Sequence, residues 1–227
     1  MKHKVKTQVF WLTAGLSVGL SFMGALRLST VKPNALTPLA GYATPGYVII
    51  TVFFTILLVR AGLPHNKFGF GAQPVLRQII LAIAAIIVLR VFAVALNPLL
   101  EDILGGGRNL ERFSNVEGSA AALVMLLMTN WTLAAFGEEF AYRIVLMRGI
   151  SFLFDDSRNG QIIALVLQAL MFGLIHAYQG PAGIVGATFS GLVYGAVIIA
   201  GRWSIWPAAL AHGTNNTFGI IALYLGQ

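Results

Sequence analysis

The sequence predicts an all-α fold, a polytopic transmembrane helical bundle. Of its 227 residues, 57% are hydrophobic and only 10% are charged, against roughly 25% charged in an ordinary soluble domain. Mean hydropathy is +0.80. The apolar residues also fall into runs near the roughly 20 that a helix needs to cross hydrocarbon. A soluble domain of this size cannot bury so much apolar surface, and disordered chains are polar and charged. The lack of Cys removes disulfides, thiolate catalysis and Cys-bound zinc together. The excess of 15 Lys+Arg over 8 Asp+Glu is spread over short loops. That is the pattern of membrane topology rather than of a nucleic-acid stripe, so membrane lipid is an expected partner and nucleic acid is not.

Apolar segments at about 9–26, 47–61, 78–97, 120–137, 140–154, 161–177, 182–200 and 204–225 predict seven or eight spans in one membrane domain, 1–227. The fifth is short and carries Arg143 and Arg148, so it decides between the two counts. The first follows Met1-Lys2-His3-Lys4-Val5-Lys6. Met23-Gly24-Ala25 is a poor small-x-small cleavage site, so this run is read as an uncleaved span, with Lys2, Lys4 and Lys6 holding the N-terminus in the cytoplasm. The loop after the second span agrees, with Arg60, Lys67 and Arg77 and no acid. The loop at 97–119 sets Arg108 and Arg112 against Glu101, Asp102, Glu111 and Glu117, which suits the outer side. The chain is thus expected to be an integral, multi-pass protein of the plasma (inner) membrane. Pro33, Pro38 and Pro45 punctuate 29–46, and Gly105-Gly106-Gly107 breaks the third loop. Two small-xxx-small pairs, Gly15/Gly19 and Gly191/Gly195, permit close helix approach. Arg90, inside the third span, has no assigned role.

Ionisable groups inside a membrane are costly, so each is a functional candidate. Phe136-Gly137-Glu138-Glu139-Phe140-Ala141-Tyr142-Arg143 joins two apolar stretches. In an α-helix Glu139 and Arg143 form an i,i+4 pair with the acid N-terminal, the favourable order. Glu138 then points about 100° away and is free for chemistry, because a carboxylate in a low-dielectric site can serve as a general base. Two acids solvated at a helix end would look the same. Phe172 and His176 share a helical face, as do His212 and Asn216 in a last segment opened by Trp206-Pro207. Each pair could also be a hydrogen-bonded core contact. Taken together, a base, two imidazoles and an amide on three apolar segments make a hydrolytic set. Glu138 and His176 could deprotonate a water, while His212 and Asn216 could stabilise the oxyanion left when it attacks a carbonyl.

At these residues the sequence resembles the CPBP family of intramembrane endopeptidases, the CAAX proteases and bacteriocin-processing enzymes also called the Abi family. The family motifs EExxxR, FxxxH and HxxxN are present in order as Glu138-Glu139…Arg143, Phe172…His176 and His212…Asn216. The matching region is about 120–225, and 1–119 matches only as generic hydrophobic spans. The resemblance implies a helical bundle with an intramembrane polar cavity and an endopeptidase activity. It implies Glu138 as base with His176, and His212 and Asn216 as oxyanion donors, with Glu139, Arg143 and Phe172 supporting the site. It also implies a peptide or protein substrate, lipidated or membrane-inserted ones included. The family often has Gly after the motif Arg; here that position is Ile144, with Gly149 following Arg148 later, a departure that bears on local helix packing.

No cofactor is expected. The alternative is zinc on Glu138, His176 and His212, although no H-E-x-x-H is present and an Asn suits an oxyanion better than zinc. A serine protease lacks its motif, since Ser190-Gly191 follows Thr188-Phe189. A non-catalytic immunity or scaffold protein, or a transporter, would also place ionisable groups in the membrane.

Overall fold

The computed structural model describes residues 2–64, 68–71 and 73–227. His65, and Lys67 of the topology reading, lie outside the described residues. Helices form the whole scaffold, and no strand occurs among the described residues. In order they are α1 (Lys2–Leu28), α2 (Ala43–Arg60), α3 (Val75–Leu104), α4 (Ala120–Thr129), a π-helix (Asn130–Leu146), α5 (Met147–Leu153), α6 (Arg158–Leu174), α7 (Gly180–Ala200) and α8 (Trp206–Tyr224). Ser119 and Ser157 cap α4 and α6 by accepting from Ala122 and Gly160 backbone N–H groups. Pro207 sits in the first turn of α8, where its missing N–H costs nothing.

Five stretches among the described residues are long and apolar enough to cross a membrane: His3–Leu28, Thr37–Arg60, Val75–Leu104, Ala120–Leu153 and Ala177–Ala200. This is fewer than the seven or eight expected. The segments 120–137 and 140–154 are a single rod, because α4, the π-helix and α5 follow one another without a break over Ala120–Leu153. Sequence reading divides it at Glu138-Glu139…Arg143 because a charged run normally needs water. Here Glu138 is 5% exposed and Glu139 and Arg143 are 0% exposed, with partners supplied inside the protein. Helices α6, with 17 residues, and α8, with 19, complete the bundle.

Close packing follows the small residues. A Cβ on Gly15 or Gly19 would meet Phe54 or Ile50 of α2, and one on Gly191 would meet the Ala169 backbone of α6. Ile80, Ile83, Ile87, Val91 and Val94 of α3 stay exposed, as expected of a face turned to lipid.

Cross-loop bonds fix which loops share an end. At the N-terminal end Lys6 pairs with Asp155 at 2.7 Å, and the Ile205 N–H donates to the Gly69 carbonyl at 3.1 Å. At the opposite end the Asn109 N–H donates to the Gln179 carbonyl at 2.9 Å, and the Gly118 N–H to the Tyr224 carbonyl at 3.1 Å. Residues 61–64, 68–71 and 73–74 and loops 154–157 and 201–205 therefore lie with the N-terminus, and loops 29–42, 105–119 and 175–179 lie opposite.

Candidate active site

The π-helix sets the site. Its i→i+5 bonds put more residues into each turn, so neighbours subtend a smaller angle than the 100° of an α-helix. Adjacent Glu138 and Glu139 are both buried, each with its own partners. Arg143 pairs with Glu139 and not with Glu138, as the α-helical spacing predicts, but Glu138 has a cationic partner of its own in Arg27. Long π stretches are rare and concentrate at functional sites.

Glu139 joins two partners. Its Oε1 accepts from His212 Nδ1 at 2.8 Å, and its Oε2 lies 3.4 Å from Arg143 Nε. The i,i+4 ion pair read from the sequence does form, inside a π-helix. The Arg143 guanidinium also lies 4.0 Å from the centre of the Phe172 ring, so a cation–π contact helps hold a charge that water does not reach. Phe172 touches both imidazoles as well, with ring centroids 4.6 Å from His176 and 6.2 Å from His212. Tyr194 of α7 stacks on His212 at 4.9 Å.

Glu138 has a different partner. Arg27, at the end of α1, donates from Nη1 to Glu138 Oε1 at 3.2 Å. The Tyr47 hydroxyl of α2 donates to the neighbouring Gly137 carbonyl at 2.8 Å. His176 stands just past α6, with Nδ1 2.7 Å from the Phe172 carbonyl. A carbonyl only accepts, so Nδ1 carries the proton and neutral Nε2 keeps a lone pair.

Glu138, His176, His212 and Asn216 line one cavity of about 440 Å³, with Phe172, Asn130, Arg27 and Arg90 also in its wall. Asn130, on the π-helix, donates from Nδ2 to the Gly213 carbonyl at 2.9 Å and reaches Thr217 Oγ1 at 3.3 Å, clamping α8 between its two polar residues. Arg90 donates to the Asn215 carbonyl at 3.0 Å and lies over the Phe218 ring at 4.7 Å. Arg148 belongs elsewhere: it pairs with Asp156 at 3.0 Å near the N-terminal end.

Sequence reasoning missed Arg27 and Asn130. Arg27 closes the first apolar run and looks like an ordinary interfacial anchor. Asn130 carried a usable signal, a lone amide within the apolar segment 120–137. Among the described residues no group of three or more His, Asp or Glu side chains is arranged to hold a metal ion.

Residues 119–218 match the family described as type II CAAX prenyl endopeptidase, Rce1-like. Comparison with curated proteins and with solved structures finds no match. The matched stretch runs from the cap of α4 to the second half of α8 and contains Glu138, Glu139, Arg143, Phe172, His176, His212 and Asn216. Over residues 119–218 this membrane protein carries a domain of the Rce1-like type II CAAX prenyl endopeptidase family, a family of CAAX-type intramembrane proteases.

Proposed function

We propose that the chain hydrolyses a peptide bond at the membrane with a water activated by Glu138 and His176, and that His212 and Asn216 stabilise the resulting oxyanion. One observation carries this reading: a carboxylate, two imidazoles and a carboxamide from three separate helical segments line a single cavity. Arg27 binds one oxygen of Glu138 and leaves the other for a water proton. The Nε2 lone pair of His176 can hold the same water. The attacked carbonyl oxygen gains charge toward His212 and Asn216, where fixed donors are worth most because little water competes.

The Glu139–His212 bond adds a proton requirement. With a carboxylate accepting from Nδ1–H, the Nε2 of neutral imidazole is an acceptor. Donation to an oxyanion needs one more proton in the pair, as imidazolium beside carboxylate or as neutral imidazole accepting from a protonated Glu139. Glu139 and Arg143 thus support His212 rather than meeting substrate.

The substrates are peptides or proteins, lipidated or membrane-inserted segments among them, and no cofactor takes part. The reading puts the N-terminus in the cytoplasm at the plasma membrane, and the Arg60, Arg77, Arg158 and Arg202 that share its end of the bundle support the orientation. The test is digestion of a peptide library, a prenylated CAAX peptide included, read by mass spectrometry. Cleavage by the wild type and none by folded Glu138→Ala or His176→Ala supports the reading. Wild-type rates in those variants refute it, and loss of activity on chelation would point to zinc instead.

A further inference from the structure

At the N-terminal end of the bundle lies a second cavity of about 320 Å³, with Arg148, Asp156, Gln161, Arg202, Trp203 and Ser204 in its wall. Arg148 is its buried cation, 2% exposed. Nη2 donates to Asp156 Oδ2 at 3.0 Å, and Asp156 Oδ1 accepts from Ser151 at 3.0 Å, so both carboxylate oxygens are turned to protein donors. The Trp203 ring covers one face of the guanidinium, its centre 4.3 Å from Cζ. The in-plane edge remains, where Nε and Nη1 make no hydrogen bond among the described residues. Ser204, also 2% exposed, has a buried hydroxyl without a partner among them. Buried donors in native proteins are nearly always met, so these call for an acceptor from outside the chain.

The backbone around the cavity points the same way. Helices α5 and α7 end alike: the Asp156 N–H donates to the Ser151 carbonyl at 3.0 Å, and the Trp203 N–H to the Ile198 carbonyl at 2.7 Å. Such a turn needs a left-handed residue after the cap, a place that glycine usually fills. Here Asp155 and Arg202 take it with φ of 55° and 57°, and Asp156 and Trp203 follow at 54° and 64°. No other non-glycine residue among the described ones has a positive φ. Three of these side chains find contacts that offset the strained backbone, since Asp155 pairs with Lys6, Asp156 with Arg148, and Trp203 covers Arg148. Arg202 stands exposed at the rim and makes no ion pair or hydrogen bond among the described residues.

We infer that this second cavity binds a phosphate-bearing anion, with Arg148 as the buried fork and Arg202 as the cation at its rim. The free edge of a guanidinium meets two oxygens of one anion in parallel bonds. A carboxylate has only two oxygens in one plane, enough for one fork. A phosphate presents its oxygens tetrahedrally and can serve Arg148 from within, Arg202 from the rim and the Ser204 hydroxyl together. The phosphate is that of a lipid headgroup or of a small soluble phosphate.

The test uses the full chain in nanodiscs of phosphatidylcholine. One arm titrates radiolabelled inorganic phosphate by equilibrium dialysis, with chloride holding the ionic strength constant. The other adds phosphatidylglycerol and counts, by native mass spectrometry, the molecules that stay on the protein. Saturable uptake of one anion per chain in either arm supports the site, and the arm that shows it names the source. Arg202→Gln changes an exposed side chain, and Arg202→Gly suits the left-handed backbone, so both keep the fold. Each should weaken uptake about tenfold or more, and Arg202→Lys should weaken it less. Arg148→Gln removes the fork and should abolish uptake; should it fail to insert, the Arg202 variants decide. No saturable uptake in either arm overturns the site. So does uptake that the Arg202 variants leave unchanged, because it then belongs to another surface.

Discussion

Arg27 and Glu138 are 111 residues apart in sequence and 3.2 Å apart in space, so the last turn of the first helix reaches a carboxylate of the π-helix in the cavity wall. Removing one member leaves the other charge buried without a partner, which costs about 3–5 kcal/mol, whereas removing both is much milder. Arg27→Gln and Glu138→Gln are each expected to lower the unfolding midpoint in detergent. The double variant should be more stable than the sum of the singles requires. A strictly additive double-mutant cycle would show that the pair contributes no coupling.

For Glu139 the two obvious substitutions should separate. Glu139→Ala removes the partner that orients His212, and loss of an oxyanion donor costs about 10²–10³ in kcat. Glu139→Gln keeps a group that can accept from Nδ1–H or donate to Nδ1, so it should retain at least about tenfold more activity than the Ala variant. Single-turnover hydrolysis of the best library peptide measures this. Equal rates for the two variants would mean that Glu139 does not act through His212.

At the helix contacts, Gly191→Val should be poorly tolerated. Its Cβ would meet the Ala169 Cα at 2.9 Å, and backbone cannot swing aside as a side chain does. Overpacking of this kind costs about 1–3 kcal/mol. Gly41, with nothing within 4 Å of an added Cβ, serves as the neutral comparison. Thermal unfolding of both variants in detergent gives the contrast.

Orientation can be read directly. Alkaline phosphatase fused in the loop after Asn109, or following Gln227, should be active. Fused at Arg202 it should be silent, because these positions lie at opposite ends of the bundle and basic loops stay inside. That outcome puts the mouth of the cavity on the non-cytoplasmic side. Activity at Arg202 with silence after Asn109 would reverse the placement.

Much of the architecture was readable because a bilayer reduces folding to length and polarity. The runs 9–26 and 78–97 fall inside observed helices, and 47–61 does so up to Arg60. The residues that meet in the cavity were conspicuous for the same reason, since Glu138, His176, His212 and Asn216 are polar in apolar surroundings. What stayed hidden depends on distant parts of the chain. Nothing near Arg27 says that it reaches Glu138. Nothing local says that the rod from Ala120 to Leu153 continues through its own charges, because Glu138 finds its cation in Arg27 and Glu139 a further partner in His212. The π geometry is hidden too, as i→i+4 and i→i+5 bonding place similar demands on composition.

The cavity ends where the six residues from Tyr142 to Met147 begin, and all six are fully buried. Beyond them, at the N-terminal end, the second cavity of about 320 Å³ is lined by Arg148, Asp156 and Trp203. A layer of fully buried side chains thus lies between the two cavities. Hollows that stop at such a layer can hold water within a membrane without giving ions a path across it.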